Sequence, residues 1–361
     1  MQAWQDIMAE KSGAPRNLVD QYTKSIFDII GNTPLVKLAR IPRDEGVISG
    51  VLAKIEYVNP TGSLKDRIYY EMITEALQTG ALKPGMTIIE ASTGNAGISC
   101  AFVGRALGFP VTIVIPSGMS GERMKTIQSY GAEIVKTPGS ESDVDLSLHK
   151  IIELKKANPR KYWEPNQFSN PANVEAHYKS TGPEIWKQTA GRVDCFVASQ
   201  GTGGTLTGVG RYLRKMKRSI RLYAVEPQEA PILAHRKWGT HRIEGIGDGF
   251  VPENLDLSLL TGVITVSSDE AITMAKRLAL EEGIFCGISS GCNIAAVIKL
   301  LKRHSEYRRI VTMINDTGQR YFSTELCGEA KNVEIPEREH ILDKRTIEIL
   351  DRYSPAWEII E

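Results

Sequence analysis

The stretch "YVNPTGSLKDRIYY", Tyr57 to Tyr70, places Lys65 directly after a turn-rich and mostly uncharged segment. Asn59, Pro60, Thr61 and Gly62 are turn formers, and Ser63 is placed to cap a helix running on through "DRIYYEMITEALQTG". Lys65 therefore sits at a loop-to-helix junction, where backbone N–H groups point outward and a cation gains nothing from the helix dipole. A solvated surface lysine and a lysine that forms a Schiff base both fit these residues. The choice between them rests on partners elsewhere in the chain.

Three further junctions offer such partners. "CFVASQGTGGTLTGVGRYLRKM" runs strand, glycine-rich turn, helix, and Gly201, Gly203 and Gly204 let the backbone approach an anion closely. Thr202 and Thr205 add hydroxyls there. No Lys-Ser/Thr ends this loop, so it is not a Walker loop. The third glycine of a dinucleotide fingerprint would fall at Leu206. A tight structural turn is the plain alternative, and a monophosphate cradle accounts for more of the residues. "IIEASTGNAGISCAFVGRALG" sets Ser92, Thr93, Gly94, Asn95, Ala96 and Gly97 at a helix start, a composition that suits a carboxylate. "GIFCGISSGCNIAAVIKLL" sets Ser289 and Ser290 beside Gly287 and Gly291, where helix capping would explain a serine equally well.

The elements that must position these loops follow from hydrophobic pattern. Short β-branched runs ("GVLAKIEYV", "TIIEA", "VTIVIP", "AEIVKT", "CFVASQ", "LYAVEP", "GVITV" and "RIVTMI") alternate with amphipathic helical segments. Strands apolar on both faces and separated by helices predict an α/β protein with largely parallel sheets covered on both sides. A chain of 361 residues exceeds one ordinary core, so two domains are expected. In such sheets ligands gather at the carboxyl ends of the strands, where these loops would converge. Net charge is +1 with 24% charged residues, which gives no support for a nucleic-acid or anionic-membrane partner. No apolar run spans a bilayer, and the first residues do not read as a signal peptide, so a cytoplasmic protein is expected. The five cysteines form no CxxC pair, and Cys100 and Cys195 read as buried thiols. The six histidines have no metal-ligand spacing, and no metal is assigned.

A phosphate cradle, a carboxylate loop and an imine-forming lysine are the parts that pyridoxal phosphate and an amino acid require. "GNTPLVKL", "NPTGSLKDR", "STGNAGIS", "NQFSNPANVEAHYKSTGPEIW", "GTGGTLTG", "EGIGDGFVPENLD" and "GISSG" resemble, in order, the motifs of the cysteine synthase/cystathionine β-synthase family. The resemblance covers roughly residues 25 to 328. It implies a fold-type II, tryptophan synthase β-like architecture: two domains, each a mostly parallel twisted sheet with helices on both faces. The expected divisions are an N-terminal helical arm at 1–36, a smaller mobile domain at 59–170, a larger cofactor-phosphate domain at 37–58 and 171–330, and a C-terminal appendage at 331–361.

The resemblance also implies roles. Lys65 would be the Schiff-base lysine and carry the proton at the substrate α-carbon. Asn95 would hydrogen-bond the phenolic oxygen of pyridoxal 5'-phosphate, Gly201 through Thr205 would hold its phosphate, and Ser289 would face its ring nitrogen. Ser92, Thr93, Gly94, Ala96 and Gln167 would bind the amino acid's carboxylate, with Gly245 and Asp248 overhanging the substrate. A neutral hydroxyl at the ring nitrogen does not favour a protonated ring, which biases against transamination and toward direct loss of a β-substituent. A serine-type amino acid would then lose its β-group and take up sulfide or a thiol at the β-carbon, as a homodimeric enzyme. Three features depart from the family's usual pattern: Ala96 in the carboxylate loop, Gln200 before the phosphate loop, and Asp248. The reaction expected first is formation of cysteine and acetate from O-acetylserine and sulfide. Cystathionine formation, sulfide release from cysteine, threonine synthase or dehydratase chemistry and a non-catalytic binding homologue are the alternatives. Glu244 and Asp248 would repel a phosphate-bearing donor, and Arg242 or Arg236 is the expected partner if such an anion is nevertheless used.

Overall fold

Every strand-forming run named above becomes a strand, and together they segregate into two sheets. The computed structural model describes residues 23–48, 50–139, 143–328 and 341–361. Its strands are β1 (Leu35–Lys37), β2 (Gly50–Ile55), β3 (Thr87–Ala91), β4 (Val111–Pro116), β5 (Glu133–Thr137), β6 (Tyr162–Trp163), β7 (Cys195–Ser199), β8 (Arg221–Pro227), β9 (Gly262–Val266), β10 (Arg309–Ile314) and β11 (Glu358–Ile360). A seven-stranded sheet has the order β1-β2-β10-β7-β8-β9-β11, and a four-stranded sheet has the order β5-β4-β3-β6. All neighbours are parallel except β1 and β2, which pair antiparallel with Leu35 opposite Lys54. The fold is therefore α/β with mostly parallel sheets.

The strands not foreseen, β1, β6 and β11, are two or three residues long and lie at sheet edges. Only half of such a strand's surroundings is sheet, so no apolar run marks it in the sequence. Two of them change the reading of the chain ends. Of the helical arm expected at 1–36, residues 1–22 lie outside the described residues. From there the chain makes a 3-10 turn at Ile26–Ile29, capped reciprocally by Ser25 and Asp28, and then enters β1 rather than a helix. Of the appendage expected at 331–361, residues 331–340 lie outside the described residues, and its end is β11, paired with β9 from Glu358↔Gly262 to Ile360↔Ile264.

The helices are α1 (Arg40–Asp44), α2 (Lys65–Thr79), α3 (Asn95–Ala106), α4 (Gly121–Ser129), α5 (Val144–Ala157), α6 (Pro171–Ala176), α7 (Gly182–Gln188), α8 (Gly204–Met216), α9 (Ile232–His235), α10 (Ser268–Glu282), α11 (Ile288–Arg303) and α12 (Lys344–Tyr353). A π-helical turn, His177–Thr181, joins α6 to α7. One apolar core gathers α2, α3 and the four-stranded sheet through Ile68, Met72, Ile88, Ile98, Val103 and Ile113. Another lies between the seven-stranded sheet, α10 and α11. A further core lies on the opposite face of that sheet, under α8. Among the described residues, no helix is long and apolar enough to cross a membrane. Cys100, Cys195, Cys286 and Cys292 are buried and unpaired, Cys327 is exposed, and burial pushes all these thiols up.

Candidate active site

The loops after β3, β7 and β10 and the start of α2 meet at one solvent-open cleft, about 840 Å³ including the space continuous with solvent. Of the residues expected there, Lys65, Thr93, Gly94, Asn95, Ala96, Gln167, Gly201, Thr202, Gly203, Thr205, Gly245, Asp248 and Ser289 line it. Ser92 and Gly204 stand behind the wall. Ser92 is buried, and its Oγ accepts from Gly94 N at 2.9 Å and Gly97 N at 2.7 Å, so it shapes the carboxylate loop from below.

Lys65 is the first residue of α2. The formal cap is Leu64, not Ser63, and no side chain caps the helix there. Ser63 Oγ reaches Lys65 N at 3.3 Å, and the preceding turn is held instead by Asp66. The buried Asp66 carboxylate accepts from Thr61 N at 2.7 Å, Thr61 Oγ1 at 2.5 Å and Ser99 Oγ at 2.6 Å. Burial pushes its pKa up from the ordinary carboxylate range, and these donors oppose the rise. One residue further on, Arg67 makes a buried fork. Its Nε donates to Glu56 Oε2 at 2.7 Å and its Nη1 to Glu184 Oε1 at 2.7 Å. Burial alone would raise Glu184, yet Arg67 and then Lys54 hold it down to about 2. The lysine junction is thus anchored to β2's end and to α7 by charge-assisted bonds.

Between β7 and α8 the chain forms a cradle with no room for side chains. Gly203 has φ +80°, and a Cβ there would stand 2.7 Å from Leu255 Cβ. A Cβ on Gly204 would collide with Asn173 Oδ1. The N-terminus of α8 points its free N–H groups into this cradle, and Thr202 and Thr205 bring hydroxyls. Two residues that received no role from the sequence hold those hydroxyls. Asn173 Nδ2 donates to Thr202 Oγ1 at 3.0 Å, and His177 Nε2 lies 3.1 Å from Thr205 Oγ1. The other ring nitrogen of His177 meets Thr181 Oγ1 at 2.9 Å. Burial, reinforced by Arg67, pushes His177 down to about 3, so the ring is neutral, with one nitrogen donating and the other accepting. Their i, i+4 spacing in "NPANVEAHYKS" puts both on one helix face, the only sign of them in the sequence.

The carboxylate loop opens α3, which begins at Asn95. Asn95 Nδ2 donates to Asp316 Oδ2 at 2.7 Å, and its Oδ1 accepts from Arg320. Gln167 donates from Nε2 to Ala91 O at 3.1 Å, which leaves its buried Oε1 without a partner. Ser289 lies in the first turn of α11, where Asn315 Nδ2 donates to its Oγ at 3.0 Å. Asp248 is 7% exposed and lines the cleft, so it is not a solvated loop tip. Gln200 is buried and donates to Gly201 O at 3.0 Å, bracing the start of the cradle.

The arginine in the cleft is not one of the expected pair. Arg242 pairs with Asp269 and Glu325, and Arg236 pairs with Asp351, all on the surface. Arg123 of α4 lines the cleft instead, with its side chain 2% exposed. It pairs with Glu244, lies 4.7 Å over the Tyr321 ring and leaves its Nε without a partner. Nothing local in "GERMKTIQSYG" distinguishes it from a helix-surface arginine.

A lysine at a helix start, a cradle of N–H and hydroxyl donors, and a second donor loop facing both define a site for a phosphate-bearing aldehyde and an amino acid. The chain belongs to the pyridoxal-phosphate-dependent enzymes, in their cysteine synthase branch, and its cofactor is pyridoxal phosphate. The model of the family described as pyridoxal-phosphate dependent enzyme matches residues 26–316. Cysteine synthase A of Escherichia coli (strain K12) is 46% identical over 309 residues, 83% of this chain and 94% of that protein. Cysteine synthase 3 of Caenorhabditis elegans is 42% identical over 328 residues, 90% of this chain and 96% of that protein. The solved cysteine synthase of Entamoeba histolytica superimposes with a TM-score of 0.80 at 35% identity, covering 95% of this chain and 98% of that one. A hydrogen sulfide-producing enzyme of Fusobacterium nucleatum gives 0.79 at 36% identity, covering 83% and 100%.

The residues present fit that cofactor. The cradle's glycines leave the space a phosphate needs, and its donor set is all N–H and O–H. Ser289 offers a neutral hydroxyl, and Lys65 the amine.

Proposed function

We propose that this enzyme performs β-replacement on a serine-type amino acid as a transferase, forming cysteine and acetate from O-acetylserine and sulfide. The observation that carries this reading is the meeting of Lys65, the Gly201–Thr205 cradle and the Thr93–Ala96 loop in one cleft. The names and identities of the relatives support the choice of donor and nucleophile. When bound, pyridoxal phosphate supplies a conjugated electron-withdrawing system that acidifies the amino acid's α-carbon.

Every other task falls to the chain's own groups. Gly201–Thr205 would hold the phosphate through N–H and hydroxyl donors, with Thr202 and Thr205 oriented by Asn173 and His177. Lys65 would hold the cofactor through its amine and then move the proton at the α-carbon, the task of a positioned general base. Around the loop that Gly94 shapes by donating its own N–H to Ser92 Oγ, the backbone N–H groups of Thr93 and Ala96 would bind the substrate carboxylate at the start of α3. Ala96 contributes no hydroxyl there. Gly245 and Asp248 would face the β-carbon side, where the leaving group departs and sulfide enters.

One product assay tests the reading. Purified holoenzyme given O-acetylserine and sulfide should release cysteine and acetate in equal amounts, and no cysteine above background would remove the proposal. The likeness to a hydrogen sulfide-producing enzyme favours a second reading, in which cysteine is the donor and sulfide leaves. The same assay run with cysteine alone separates the two. A cytoplasmic homodimer belongs to the same proposal and is checked by cell fractionation and sedimentation.

A further inference from the structure

Two consecutive residues at the end of β10 hold two groups that the site would turn toward the cofactor ring. Asn315 lines the cleft, and its Nδ2 donates to Ser289 Oγ at 3.0 Å and to Ser199 Oγ at 3.3 Å. An amide nitrogen carries two N–H donors and no acceptor, so both are spent on hydroxyl oxygens. Ser289 Oγ is therefore an acceptor toward Asn315, which leaves its single O–H to donate elsewhere. Among the described residues Ser289 Oγ makes no hydrogen bond besides the one from Asn315. Asp316 makes the complementary arrangement. Its Oδ2 accepts from Asn95 Nδ2 at 2.7 Å and from the Tyr321 hydroxyl at 2.7 Å, while Arg320 donates to Asn95 Oδ1. The Asn95 amide is thus oriented at both ends, with one N–H committed to Asp316 and the other left over.

The dipeptide is well fixed. Asp316 is fully buried, and Asn315 N donates to Ser290 Oγ at 2.9 Å. Leu64 N donates to Asn315 O at 3.0 Å, and a β-bridge joins Ser63 to Asp316, so the segment carrying Lys65 shares the same frame. Asp316 Oδ1 is buried without a hydrogen-bond partner. A carboxylate half-satisfied in this way is costly, and the sequence retains it where its other oxygen orients Asn95.

We propose that Asn315 and Asp316 are positioning residues that set hydrogen-bond polarity at both edges of the ring. Asn315 keeps Ser289 as a donor toward an unprotonated ring nitrogen, and Asp316 keeps Asn95 as a donor toward the phenolic oxygen. The inference rests on the proposed placement of Ser289 and Asn95 against the cofactor. A ring held neutral in this way is the weaker electron sink, which directs the chemistry toward loss of the β-group.

Holoenzyme reconstituted with pyridoxal phosphate carrying ¹⁵N in the ring tests the Asn315 half by the ring-nitrogen resonance. Wild type should show the resonance of an unprotonated pyridine. Asn315→Asp replaces the donor by an acceptor that takes the Ser289 O–H, and the resonance should move upfield toward the pyridinium position. Asn315→Thr, whose hydroxyl both donates and accepts, is the milder variant, with a smaller shift in the same direction. If Ser289→Ala moves the resonance while both Asn315 variants leave it in place, the role of Asn315 is overturned. If Ser289→Ala also leaves it in place, the proposal falls together with the placement of Ser289. For the other half the readout is cofactor affinity. Asp316→Leu removes the acceptor and should weaken binding about tenfold, whereas Asp316→Asn keeps an accepting oxygen and should stay within about threefold of wild type. Equal affinities across the three proteins overturn the role of Asp316.

Discussion

The guanidinium of Arg123, which lines the cleft with its side chain 2% exposed, pairs with the carboxylate of Glu244. A cation so placed would attract an anionic leaving group, and Glu244 cancels it. Phosphoserine should therefore be a poor donor for the wild type. Glu244→Gln releases Arg123 and should raise kcat/KM for phosphoserine about tenfold relative to O-acetylserine, measured by initial rates with each donor. An unchanged donor ratio would mean that Arg123 serves packing against Tyr321 alone.

Lys65→Ala should abolish covalent attachment of the cofactor and lower turnover by about three orders of magnitude or more, since imine formation and proton transfer share one amine. Borohydride reduction followed by peptide mapping checks the attachment. A pyridoxyl label on any other lysine would contradict the assignment.

Asp248 sits buried in the cleft wall, which gives its charge a role in choosing the nucleophile. Asp248→Asn should change the ratio of sulfide to homocysteine use more than it changes cofactor binding. Competition kinetics with both nucleophiles, beside a cofactor titration, decide between a selective residue and a bystander.

The buried fork of Arg67 with Glu56 and Glu184 predicts a large loss on truncation. Arg67 and Glu56 are 2% and 0% exposed at their side chains, so Arg67→Met leaves an uncompensated buried carboxylate. The expected cost is about 3–5 kcal/mol. Denaturant unfolding measures it, and Glu184→Gln, at 13% exposure, should cost clearly less.

Stability should also carry a pH signature from two buried carboxyls. Burial pushes Glu90 and Glu226 up to about 8 from an ordinary value near 4.5. Between those limits the folded protein holds protons that the unfolded chain has released, so the stability these two groups contribute is fully present below about pH 4.5 and is lost as pH rises toward 8. Glu90→Gln, with Glu226→Gln added, should flatten the melting temperature across that window. His177, pushed down to about 3, acts in the opposite sense and lower on the scale. It is neutral when folded, so acidification from about pH 6.5 toward 3 protonates only the unfolded chain and destabilises the fold.

Much of this molecule is legible in one dimension because the relevant physics is local. A parallel strand must be apolar on both faces, so each covered strand from β2 to β10 announces itself as a β-branched run; only β6, two residues long at an edge, does not. A chain that turns from a strand into a helix while admitting an anion must spend glycines, so the Gly201–Thr205 cradle is visible from spacing alone. The family resemblance adds roles to residues already marked by such local needs.

What the linear order conceals are the contacts made across the cleft. Arg123, Asn315, Asp316, His177 and Asn173 lie far in sequence from the groups they hold, and each reads locally as a helix-surface or loop residue. Strand order brings β10 between β2 and β7, and the helices packed around its end set Ser289 against Asn315 and Asn95, from the other sheet's side, against Asp316. The sequence by itself determined which loops could hold a phosphate, a carboxylate and an imine, because backbone conformation and helix ends are properties of neighbouring residues. Only the tertiary structure decided which side chains orient those loops and which charge faces the substrate, because hydrogen-bond polarity and ion pairing depend on what the topology brings within about 3 Å.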